Sequence, residues 1–146
     1  MKIELTKKQY KELLVLVSLG SYIRGAYADK HDEKYDDSEM SAYLLKYAKD
    51  FNLEKLAENF QGTLIETDEF GDEIDKIMEE YDEDEFWHRL ITLLGQRDFY
   101  IEADKKELAE IKKDKFGWLP KRIQDYYAKY EKEFEKHGVE RLEIKE

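Results

Sequence analysis

Through the first thirty positions the apolar residues recur at helical spacing, and the chain announces the start of that helix with a cap. Thr6 can accept a hydrogen bond from the amide of Gln9 while the Gln9 side chain reaches back, and Leu5 stands where it can staple onto Tyr10. This predicts a helix from Lys7 to about Asp29. At ~100° per residue, Leu13, Val17 and Tyr10 fall on one side and Val15, Leu19 and Ala26 on another. A helix apolar nearly all round is expected to be buried. Its polar gap holds Lys7, Lys11, Ser18, Ser21 and Gly25.

The run DKHDEKYDD at 29–37 reads as a linker. A second helix is expected behind Asp36, with a stripe of Met40, Tyr43, Leu44, Tyr47, Ala48 and Phe51, ending at Asn52 in the left-handed region. Residues 53–60 read as a short helix stopped by Gln61-Gly62. Thr67 is the expected cap of the next helix, with Phe70, Ile74, Ile77, Met78 and Tyr81 inward. Asp82 or Asp84 is the expected cap of another, carrying Phe86, Trp87, Leu90, Ile91, Leu93 and Leu94. A weaker segment covers 102–111, and FGWLP at 116–120 breaks the chain. Pro120 then suits the first turn of a last helix. Its stripe is Ile123, Tyr126, Tyr127, Tyr130 and Phe134, and Gly138 closes it. Short alternating stretches at 2–5 and 141–144 suggest a minor two-stranded ribbon from the termini. The predicted fold is all-α (mainly α), a single domain over 1–146 with five to seven helices around a buried first helix.

Composition adds constraints. The 146 residues are 42% charged and 14% aromatic, with no cysteine. That removes disulfides, thiolate metal sites and cysteine nucleophiles, and it fits a reducing, cytoplasmic setting. Lys7, Lys8 and Lys11 ahead of the apolar run at 13–19, with Ala26-Tyr27-Ala28 beyond, imitate a secretion signal. Glu4, Glu12 and Arg24 interrupt it, and the helical reading stands. No run approaches the ~18–20 apolar residues that span a bilayer, so no membrane contact is expected.

Charge is distributed unevenly. Of 36 carboxylates and 25 lysines and arginines, 12 and one respectively lie at 66–85, leaving 24 of each elsewhere. The whole net charge of −11 therefore sits in one short stretch. Helix starts account for Asp68, Glu69, Glu83 and Glu85, which face unpaired amides. Asp72, Asp75, Glu79 and Glu80 have no such reason, and they form the expected protein-interaction face. Lys112, Lys113 and Lys115, Lys105-Lys106 or Lys121-Arg122 are basic segments that could answer it, within the chain or from a second copy.

Metal and catalytic signatures fail in detail. Placing Gly71 at the sixth position of a calcium loop puts Phe70 at the fifth and Ile77 at the twelfth, where ligands are needed. Glu85-Phe86-Trp87-His88 has the spacing of a di-iron ligand pair, but it occurs once and points away from the apolar face. No catalytic residue, metal or cofactor is expected, and ordinary nucleic-acid binding does not suit this charge. Arg24 and Arg97 fall on apolar arcs. They could reach water, or converge with Asp98 on an anionic ligand, rimmed by Trp87, Trp118, Tyr22 and Tyr27. The sequence thus supports a non-catalytic cytoplasmic protein acting through protein contacts, including a homodimer. An anion-binding protein or enzyme using Arg24 and Arg97, and an acidic DNA-mimicking decoy, are the alternatives.

Overall fold

A computed structural model describes residues 3–36, 38–115 and 119–143. The elements are α1 (Lys7–Lys30), α2 (Ser38–Leu45), β1 (Ala57–Phe60), β2 (Thr63–Glu66), α3 (Asp68–Glu102), α4 (Lys105–Lys113) and α5 (Ile123–His137). Short 3-10 turns at Ala48–Phe51 and Glu54–Leu56 link α2 to β1. The class is mainly α with a minor antiparallel ribbon. The chain divides into two compact units, Met1–Glu80 and Tyr81–Glu146.

Local signals explain several boundaries. The Thr6–Gln9 capping box opens α1. Asn52 is left-handed as expected, with φ 52°, but it ends a 3-10 turn and not the second helix, which stops at Leu45. Asp104 and Glu107 cap α4 reciprocally, a box the sequence reading overlooked. Gly138, at φ 53°, closes α5. Pro120 is not in the first turn of that helix. Its carbonyl accepts from the amide of Ile123, where α5 starts.

Three expectations are corrected. Residues 53–60 are not a helix: a 3-10 turn leads into β1, and Gln61-Gly62 forms the two-residue turn of a hairpin with β2. Both turn residues have positive φ, 51° and 90°, matching the right-handed twist of paired strands. The Asn59 side chain accepts from the Gly62 amide. The ribbon therefore comes from the chain's interior. Residues 3–5 and 141–143 form no strand, while Lys2 and Ile144 lie outside the described residues.

Second, no break occurs at Asp82 or Asp84; α3 runs unbroken for 35 residues. Asp is a good N-cap, worth roughly 1 kcal/mol, but restarting a helix costs a new nucleus, whereas continuing adds one hydrogen bond per residue.

Third, α1 buries only part of its circumference. Tyr10, Leu14, Val15 and Ala28 are buried, while Leu16, Tyr22, Ile23 and Tyr27 are exposed. In the first unit its buried side meets Leu45, Ala48, Leu53, Leu56, Phe70 and Ile74. The Tyr10 ring stacks on Phe51 at 4.2 Å, and its hydroxyl donates to the Leu44 carbonyl at 2.6 Å. Each such fully buried side chain contributes roughly 1.5–3 kcal/mol.

In the second unit Phe99, Ile123 and Phe134 are buried. Trp87 lies on Phe134, with ring centroids 5.5 Å apart. The Tyr127 ring presses against Gly95, leaving no room for a side chain there.

Candidate functional site

Asp68, Asp72, Asp75 and Glu79 follow one another at spacings of four, three and four, which lines them along one side of α3. Phe70 and Ile74 point into the core from the opposite side. All four acids are therefore exposed. Three other acids of the stretch have local cations. Glu73 takes the Lys11 ammonium on both oxygens at 2.8 Å, bridging α3 to α1. Glu80 lies 3.9 Å from Lys76, and Glu85 pairs with Arg89 at 3.1 Å. Among the described residues, Asp72, Asp75 and Glu79 have neither an ion pair nor a hydrogen bond. Of the four acids expected to form an interaction face, three are thus unanswered and Glu80 has a distant, exposed partner.

A second acid-lined surface lies within the later unit. An open cleft of about 500 Å³ has Trp87 and Phe134 for its floor, with Glu83, Asp84, Glu131 and Glu135 around it. His88 also lines it, whereas Glu85 does not and pairs with Arg89 instead. Among the described residues no cluster of three or more acids or histidines is drawn together closely enough to hold a metal ion.

The arginines singled out by sequence each have partners in their own unit. The Arg24 guanidinium lies 5.5 Å from the Tyr27 ring centroid and 5.4 Å from that of Tyr35. Arg97 donates to Asp98 at 2.7 and 2.9 Å and to the Tyr130 hydroxyl at 2.9 Å. Asp98 also accepts from Tyr130 at 2.6 Å and from Lys129 at 3.1 Å. Partial burial pushes the Asp98 carboxyl up; the hydrogen bonds from Tyr130, Arg97 and Lys129 outweigh it and hold the pKa down at about 2. A parallel clamp joins Arg122 to Glu107 at 2.9 and 3.0 Å, while the Tyr126 hydroxyl donates to Glu102 at 2.6 Å. These contacts tie α3 and α4 to α5. Arg97 pairs with its neighbour Asp98, and Tyr130 and Lys129, more than thirty residues away in sequence, complete the group. Of the suggested rim aromatics, Trp118 lies outside the described residues.

One feature escaped the sequence. A cleft of about 420 Å³ in the first unit is lined by Ser18, Ser21, Ser38, Ser41, Thr63 and Glu66, with Asp75 at its edge. The Ser18 hydroxyl hydrogen bonds the Glu66 carboxylate and lies 3.0 Å from the Leu14 carbonyl. Ser18 and Ser21 were legible as a polar gap on α1; the hairpin that delivers Thr63 and Glu66 was not.

No known family, curated protein or solved structure is measurably similar to this chain. Among the described residues no helix is long and apolar enough to cross a membrane.

Proposed function

We propose that this is a non-catalytic binding protein whose acidic surfaces engage a basic protein partner. The observation that carries the reading is the row of Asp72, Asp75 and Glu79, carboxylates repeated along one helix side with no ion pair to a cation among the described residues. Like charges at this spacing destabilise a helix by ~0.2–0.5 kcal/mol per pair. A lysine- or arginine-bearing partner relieves that repulsion and gains long-range attraction. The cleft over Trp87 and Phe134 has matching chemistry, since an aromatic floor ringed by carboxylates suits an alkyl-ammonium or guanidinium head.

The anionic-ligand alternative has less behind it, because Arg97 is already engaged by Asp98 and Tyr130.

The test is affinity capture of partners from a cation-exchange fraction, followed by titration of the captured protein at several salt concentrations. The expected result is binding that weakens as salt rises and that falls at least about tenfold in the Asp72→Asn/Asp75→Asn/Glu79→Gln variant. Equal binding by the triple variant sinks the proposal. Competition for the captured partner by duplex DNA would assign the decoy version of it.

A further inference from the structure

The exposed side of α1 has a pattern the proposed function does not use. Gln9, Glu12, Leu16, Gly20, Ile23, Tyr27 and Lys30 recur at spacings of three and four, so they form one stripe along the helix. Leu16, Ile23 and Tyr27 are 58%, 65% and 47% exposed. Among the described residues, no atom beyond the helix's own nearby backbone lies within 4 Å of where a Gly20 side chain would begin. Residues 16–23 carry no charge at all. The apolar middle is bounded by an acid at one end and a base at the other.

We propose that the protein forms a two-fold symmetric dimer through antiparallel pairing of α1 with α1 of a second copy. With the axis level with Ser21 along the helix and on the side of the stripe, Glu12 of each helix stands opposite Lys30 of the other, and the ion pair forms twice by symmetry. Leu16 and Leu19 then face Ala26 and Ile23 of the second copy. Gly20, lacking a side chain, lets the two backbones approach closely near the axis. Parallel pairing fails, because it sets Glu12 on Glu12 and Lys30 on Lys30. A surface that is complementary to itself under a two-fold rotation is what an isologous dimer requires.

Charge elsewhere favours a second copy as the occupant. The acidic row of α3 repels its own image, whereas the paired stretch of α1 from Glu12 to Lys30 holds two acids and two bases and meets its image with no net charge. Tyr27 is also held in place, with the Arg24 guanidinium over its ring and His31 at 4.3 Å. This gives Arg24 a part in the interface: positioning the aromatic end of the stripe.

Sedimentation equilibrium of the full chain over a wide concentration range tests the dimer. The variants are Ile23→Lys, Glu12→Lys, Lys30→Glu and the double Glu12→Lys/Lys30→Glu, with circular dichroism to check that each folds. All three positions are exposed, so the monomer should fold in every case. The wild type is expected to show a monomer–dimer equilibrium. Ile23→Lys should raise the dissociation constant about a hundredfold, each single reversal about tenfold, and the double reversal should return it close to the wild-type value. A wild type monomeric at every concentration overturns the proposal and leaves the stripe to a different protein. A dimer indifferent to Ile23→Lys overturns it too, as does a double reversal no better than the single ones. The triple amide variant of the α3 row should leave this equilibrium intact, which separates failure of the dimer from failure of the basic-partner reading.

Discussion

Asp98 shows how one carboxylate can join two helices. It is 16% exposed and accepts from Arg97 on its own helix and from Lys129 and Tyr130 on α5. Its pKa of about 2 lies below the ordinary 3.8, so the folded state favours the ionised form. The stabilisation is present above the ordinary carboxylate pKa and is lost as pH falls through the folded value. Asp98→Asn should therefore cost about 1–2 kcal/mol near neutral pH, with the difference from wild type shrinking between about pH 4 and pH 2. Denaturant unfolding at several pH values checks this; a gap that stays constant into acid removes the assignment. Gly95 is a second residue whose role packing decides. A Cβ there would overlap the Tyr127 ring carbons and stand 3.4 Å from its amide nitrogen. Gly95→Ala gains helix propensity yet should destabilise by about 1–3 kcal/mol, because α3 and α5 must separate. Tyr127→Ala in the same chain should recover part of that loss in a double-mutant cycle.

At the level of elements, α3 unites two segments that the sequence read as separate helices. Asp82 and Asp84 resemble caps, but continuing a helix is cheaper than renucleating one, and no proline interrupts the run. The continuity has an electrostatic consequence: Glu79 lies one turn from both Asp75 and Glu83. Glu79→Lys turns two repulsive pairs into attractive ones and should raise unfolding stability by about 0.5–1 kcal/mol. The same change should weaken binding of a basic partner. A surface that gains stability when its charge is removed is under a demand other than folding; unchanged stability would show that the row does not repel itself. The hairpin was misread for a related reason. Four-residue strands leave too few positions to tell alternation from helical spacing, and Gln61-Gly62 suits a helix stop as well as a hairpin turn.

For the whole molecule, a net charge of −11 concentrated at 66–85 sets the response to salt. Raising ionic strength from about 0.02 M to about 0.5 M shortens the screening length to a few ångströms and quiets repulsion along α3. Thermal stability should rise with salt while partner binding weakens, and a melting series in sodium chloride checks the first half. A melting temperature that falls with salt would mean that ion pairs such as Lys11–Glu73 and Arg122–Glu107 outweigh the repulsion.

Much of the fold was written locally. The α1 capping box, the left-handed stop at Asn52 and the closure at Gly138 depend on groups within a few residues of one another, and the sequence by itself determined them. It also determined the mainly α class and the confinement of net charge, because periodicity and composition need no partner to be counted. Only the tertiary structure decided which side of α1 is covered, because its apolar residues face nearly every direction and the neighbours choose among them. It likewise decided that Asp98 meets Tyr130 and Lys129, that Gly95 yields its space to Tyr127, and that Ser18 meets Glu66. Each joins residues thirty or more positions apart, and such a contact exists only once the intervening chain has folded back.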